Sequence, residues 1–223
     1  NMEYINKTFG DIEKNSESYK KHINQAEKFL KDLRDKSLPN SVVATLQARP
    51  INRRKQFGFL LPHKIFKSIS WFFEIFYKYL SDKNRDDYSN IKPWHYLLDR
   101  IIRKTRVLVG FDDLYDETNL NEDFAFFPLH YQPEASTMLY APFFTDQFWL
   151  IKQVACSLPI HYKLYVKEHP AMFGYRSRQY YKELKKIPNL KLIRPSVTSL
   201  DLVKNSKLII TLSSNAGWEA ILF

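Results

Sequence analysis

The spacing of hydrophobic positions changes near the middle of the chain. In the first half they recur at three- and four-residue steps, the period of one helix face. Tyr19, Ile23, Ala26, Phe29, Leu30 and Leu33 make one stripe and predict a helix from Ser18 to Lys36, ended by Leu38-Pro39-Asn40-Ser41. Ile65, Ile69, Phe72, Phe73, Phe76 and Leu80 make a second, over Lys64 to Leu80, with Trp71, Tyr77 and Tyr79 beside it and Lys64, Lys67 and Lys78 opposite. Pro93 suits the first turn of a third helix, whose stripe is Trp94, Leu97, Leu98, Ile101 and Ile102, with Arg100, Arg103 and Lys104 outward. Arg49 to Lys55 reads as a basic loop and Ser81 to Asn90 as an exposed polar one.

The second half replaces these stripes with short apolar runs separated by helical segments. Strands are predicted at Phe124–Phe127, Tyr162–Lys167, Leu190–Ile193 and Lys207–Leu212. Helices are predicted from Thr145-Asp146-Gln147 to Pro159, with Thr145 as the cap, then over Ser177–Lys186, over Ser199–Asn205, and from Asn215 onward. Strand–helix alternation of this kind argues for parallel strands joined by crossover helices. The strands show little apolar–polar alternation, which fits burial on both faces. The fold class expected is α/β, a Rossmann-like parallel sheet preceded by a helical extension. The expected division is a mainly helical basic region over 1–121 and a nucleotide-binding domain over 122–223.

Charge sharpens this division. The chain of 223 residues has a formal net charge of +10, which points to an anionic partner. Fourteen Lys/Arg face five Asp/Glu between Arg49 and Arg106, whereas Asp112 to Asp123 holds six acids and no base. The reversal marks a linker or domain edge near Phe111 to Asn121. Aromatic, lysine-flanked helices fit either a membrane interface or burial against another domain; no nucleic-acid motif accompanies them. One cysteine, Cys156, excludes an internal disulfide and fits a reducing compartment. No apolar run is long enough to cross a membrane. Asn1 at the start and an apolar helical stretch at Phe223 suggest a fragment of a longer protein.

Three strand ends carry the candidate chemistry. In open α/β sheets, ligands bind at the carboxyl ends of strands. Phe124–Phe127 runs into a loop stiffened by Pro128 and Pro133 that holds His130, Gln132 and Glu134. Tyr162–Lys167 ends in Lys167-Glu168-His169-Pro170, where the proline biases His169 to extended backbone. Lys207–Leu212 ends in Ser213-Ser214-Asn215-Ala216-Gly217, a strand-to-helix turn whose free amides and hydroxyls suit an anion. Glu134 and Glu168 are the candidate acid/base groups. The Gly-rich dinucleotide and P-loop motifs, the nucleophile elbow and metal-spaced Cys/His sets are all missing. Nucleotide-sugar chemistry survives these exclusions.

These residues also carry a resemblance. The stretches 127–136, Asp146-Gln147, 164–170 and 213–220 resemble, in order, motifs of the capsule polysaccharide biosynthesis family, bacterial glycosyltransferase-like enzymes that include Kdo transferases. The resemblance covers about Phe124 to Phe223. It implies the C-terminal, nucleotide-sugar-binding domain of a GT-B fold, stopping short of its last strands. It implies transfer of a sugar from a nucleotide-sugar donor to a glycan or lipid-linked acceptor, in the cytoplasm or at the inner membrane's anionic surface. The His169-Pro170 and Ser213-Ser214 pairs are similar to motifs of bacterial sialyltransferases that contact a cytidine nucleotide and its phosphate, which implies a CMP-linked donor such as CMP-Kdo or CMP-sialic acid. On this resemblance His169 and Pro170 contact the nucleotide, Ser213 and Ser214 its phosphate and Glu219 its ribose; Lys167 and the amides of the Ser213-Ser214-Asn215-Ala216-Gly217 turn are expected to neutralise that phosphate. His130 and Gln132 line the site, Glu134 and Glu168 serve the reaction, and no metal or other cofactor is needed. Two other readings stand beside it: a non-catalytic membrane-peripheral scaffold with the same fold, and a UDP-sugar epimerase.

Overall fold

The computed structural model describes residues 7–8, 10–11, 16–35, 57–81 and 92–223. The expected helix stop at 38–41, the basic loop at 49–55 and most of the polar loop at 81–90 lie outside the described residues. Among the described residues, the first half holds the helices α1 (Ser16–Arg34), α2 (Pro62–Ser81) and α3 (Pro93–Val109). Each begins within a few residues of its predicted start, because an amphipathic stripe fixes a helix better than it fixes the ends.

The second half is a four-stranded sheet with strand order β3-β2-β1-β4, built from β1 (Phe124–Pro128), β2 (Lys163–Lys167), β3 (Leu190–Ile193) and β4 (Leu208–Ile209). All pairings are parallel. This is a Rossmann-like arrangement. The chain moves outward from β1 to β3, then crosses back to place β4 on the other side of β1. Between them lie α4 (Ala135–Met138), α5 (Gln147–Ser157), α6 (Arg178–Leu184) and α7 (Ser199–Asn205), with α8 (Asn215–Ile221) after β4.

Period-two alternation distributes the strand side chains between two cores. Ala125, Phe127, Leu164, Val166 and Leu192 pack with Ile151 and Ala155 of α5 and Leu184 of α6. Phe124, Phe126, Tyr165 and Ile193 pack on the opposite face with Leu202 and Val203 of α7. Both faces are apolar because both are covered by helices, which explains the weak alternation in the sequence.

The segment expected as a linker is part of this core. Phe111 and Leu114 are buried in the first cluster. Its acids meet cations of the sheet domain: Asp113 pairs with Arg178, Asp116 with Lys185 and Glu122 with Lys191. Asp116 also accepts the Leu192 N–H at 2.9 Å. The run of like charge is therefore a docking strip, and the charge reversal does not separate two bodies at that point.

The carboxyl end of α3 is fastened to the loop after β2. Arg103 donates to the Tyr175 hydroxyl at 2.6 Å, and Arg106 donates to the Tyr175 carbonyl. Gly174 has φ of 85°, and a Cβ there would lie 2.7 Å from Val107 Cγ2 and 3.3 Å from the Arg103 carbonyl. Left-handed backbone and the close approach of α3 both require glycine. Gly174→Ala should lower unfolding stability by about 2 kcal/mol, from backbone strain and overpacking; a urea midpoint equal to wild type would show that α3 can shift freely.

Candidate functional site

The strand order creates a switch point between β1 and β4, the place where open α/β sheets leave a crevice at their carboxyl ends. His130, two residues beyond β1, organises the loops there. It is 4% exposed. Its backbone N–H donates to Gln147 Oε1 at 2.8 Å, and its carbonyl accepts from Gln147 Nε2 at 3.2 Å and Arg176 Nη2 at 3.0 Å. Its ring reaches across to the β4 loop, where Nε2 accepts the Leu212 N–H at 3.1 Å and lies 3.0 Å from Thr211 Oγ1.

These contacts fix the proton. A backbone N–H only donates, so Nε2 is bare and the neutral ring carries its proton on Nδ1. Thr211 must then donate to Nε2, and Ser214 Oγ, 2.8 Å from Thr211 Oγ1, donates to Thr211. The arrangement also shortens β4. The sequence predicts a strand through Leu212, but Pro128 closes the β1 ladder and the imidazole takes the Leu212 N–H instead. Burial, first of all, lowers the His130 pKa from 6.5 to about 4, with nearby Arg176 acting in the same direction. The unfolded chain therefore binds a proton between about pH 6.5 and pH 4 that the folded chain refuses, so stability is full above that window and falls as pH drops through it. His130→Asn should lower stability at pH 7 and flatten this acid slope; urea unfolding at pH 7 and pH 5 measures both.

Glu168 follows β2 and is 1% exposed. Its Oε1 lies 2.6 Å from Arg176 Nη1 and accepts the His169 N–H at 2.7 Å, while Oε2 accepts from the Tyr181 hydroxyl. Burial, then the Glu168 charge, pushes the Tyr181 phenol far up, keeping it a donor. Both oxygens of Glu168 thus accept from protein groups, which tie the loop together. Arg176 joins this carboxylate to the His130 carbonyl, linking the β1 and β2 loops. Sequence reasoning passed over Arg176 because its signal is three-dimensional.

Lys167, the last residue of β2, is 3% exposed. Its Nζ donates to Ser199 Oγ at 2.9 Å, and among the described residues no carboxylate pairs with it. Burial lowers its pKa from 10.5 to about 8, opposed by the Glu219 charge. Glu219, half-buried on α8, has its pKa raised by burial and lowered in turn by Lys167. These two residues face each other electrostatically without forming an ion pair.

The remaining predicted residues divide between surface and scaffold. His169 is exposed in extended geometry, φ −66° and ψ 130°, as Pro170 requires; its Nδ1 accepts the Ala171 N–H, and its ring meets Tyr131 edge-on at 6.0 Å. Glu134 is exposed at the start of α4. Gln132 is spent on the Thr145 carbonyl at 2.7 Å. The α5 cap is Asp146, which accepts the Trp149 N–H, in place of the expected Thr145. Ser213 and Asn215 are exposed beyond β4. Gly217 serves packing, since a Cβ there would lie 2.9 Å from Thr211 Cγ2. Among the described residues no His, Cys, Asp and Glu side chains gather in a group able to hold a metal ion.

No protein-family model, curated protein or solved structure matches this chain.

Proposed function

We propose that this chain binds a nucleotide sugar in the crevice at the carboxyl ends of β1, β2 and β4, as the donor half of a surface-polysaccharide glycosyltransferase. The observation that carries the reading is Lys167: a buried ammonium with no carboxylate partner, at the end of a strand beside a switch point. An isolated buried cation is costly, and an anionic ligand such as a phosphate offsets that cost. The sequence resemblance supplies the ligand class.

In this reading Lys167 neutralises the phosphate that leaves with the nucleotide. The exposed His169 ring orients the nucleoside, and Ser213 and Asn215 offer donors from the β4 loop. Glu134 is the exposed carboxylate free to serve an acceptor hydroxyl or a proton transfer. Glu168 positions the His169 loop. One observation favours a binding module without catalysis: with Glu168 locked to Arg176, the two carboxylates named from sequence do not form an acid/base pair. Transfer would take place on the cytoplasmic side, to a glycan or lipid-linked acceptor.

A thermal-shift panel of CMP, CDP, UDP, GDP and ADP tests this reading, because a ligand of the folded state raises Tm. CMP should give the largest rise, and His169→Ala and Ser213→Ala should each reduce it. A larger rise with UDP or GDP would move the donor, and a flat panel would remove the nucleotide reading.

A further inference from the structure

The two helices before the sheet domain have apolar faces that no described residue covers. No residue of α2 is buried. Phe66, Phe73, Tyr77 and Leu80 are 64–73% exposed, and their spacings of seven, four and three residues place them on one narrow stripe. The helix meets α3 through other residues: Trp71 stacks under Arg100 at 4.0 Å, and Tyr79 meets Trp94 at 6.0 Å. Helix α3 repeats the pattern. Leu98 and Ile101 are each 51% exposed, on the side away from Arg103 and Arg106, which fasten it to the Tyr175 loop. Two exposed apolar stripes on adjacent helices exceed what an isolated surface normally shows.

The charge carried by the two helices bears on what covers them. Lys64, Lys67 and Lys78 stand on α2 against the single acid Glu74, which pairs with Lys78 at 2.6 Å; on α3 Arg100 lies over Trp71, and Arg103 and Arg106 are taken up by the Tyr175 loop. Lysine, the cation of α2, is depleted in protein–protein interfaces, whereas arginine and aromatic residues are enriched there. Aromatic side chains with flanking lysines are the composition of helices lying in a bilayer interface, where long basic side chains reach back to the headgroups. No described helix is long and apolar enough to cross a membrane.

We infer that α2 and α3 form an anchor that lies in the headgroup region of an anionic phospholipid bilayer. Helix α3 is bonded to Gly174 and Tyr175 of the loop that begins at His169, so the anchor holds the candidate crevice beside the lipid surface. The inference stands whether or not that crevice takes a nucleotide sugar.

Vesicle co-sedimentation of the full chain tests it. The wild type should sediment with phosphatidylcholine vesicles containing phosphatidylglycerol and much less with phosphatidylcholine alone. Lys67→Glu with Lys78→Glu should weaken binding by about tenfold or more. Phe73→Ser with Leu98→Ser should also release the protein, with Tm unchanged because both positions are exposed. Failure of the wild type to sediment with either vesicle would overturn the anchor. Full binding by the Phe73/Leu98 variant would reduce it to charge adsorption and overturn insertion. A wild-type dimer without lipid, lost in that variant, would make a second copy the occupant instead.

Discussion

Glu168→Ala should cost about 3–5 kcal/mol of unfolding stability, the largest effect of any single substitution in the site. Removing one member of a buried ion pair leaves the other charge without compensation, and here Arg176 has a side chain only 10% exposed. The same change strips acceptors from the Tyr181 hydroxyl and the His169 N–H. Two loops loosen together, because Arg176 also holds the His130 carbonyl. Glu168→Gln keeps the shape and should lose less, and Glu168→Leu combined with Arg176→Met should recover part of the loss, since apolar replacement removes both charges. Urea unfolding of the four proteins measures the coupling. A cost under about 1 kcal/mol for Glu168→Ala would mean that the pair is not a strut and would return Glu168 to the list of reacting groups.

Lys167→Met should have opposite effects on stability and on binding. Burial holds the folded pKa of Lys167 near 8 against 10.5 for a free lysine. Below about pH 8 the charge is therefore carried at a cost, on the order of 3 kcal/mol. Between about pH 8 and pH 10 the unfolded chain binds a proton that the folded chain has released, so stability rises with pH across that window. Methionine of similar length removes the buried charge. The variant should be more stable than wild type at pH 7, and the rise between pH 8 and pH 10 should disappear. Its thermal shift with CMP should fall to near zero if Lys167 meets the phosphate. A more stable variant that still responds fully to nucleotide would make Lys167 a structural lysine and leave the donor site elsewhere.

Much of the architecture was legible because it rests on local periodicity. The stripes of α1, α2 and α3, the short β-rich runs and the turn residues name the four strands and, α4 apart, the helices in order, and alternation names a parallel sheet. Lys167, His169 and the serines after β4 were legible as polar residues at strand ends. Three features of the fold are not legible in the sequence, for a common reason. Phe111 to Asn121 reads as a linker or domain edge because the partners of its acids Asp113 and Asp116, Arg178 and Lys185, lie far along the chain. The last strand looked longer because the imidazole that ends it belongs to the β1 loop. The partners of Glu168, Arg176 and Tyr181, reach it only beyond the turn of Gly174.

Propensity and spacing within a few residues are enough to place the four strands and most of the helices, and the apolar face of each helical stripe. The sequence by itself also determined the net positive charge and the polar character of the three strand ends. Tertiary structure alone decided that β4 returns beside β1 and so makes the switch point, and that His130 closes one loop onto another. It decided that Glu168 is paired with Arg176, while Lys167 meets the Ser199 hydroxyl and, among the described residues, no carboxylate. Those outcomes depend on distances between residues tens of positions apart, where electrostatics and desolvation act through space and leave no periodic trace along the chain.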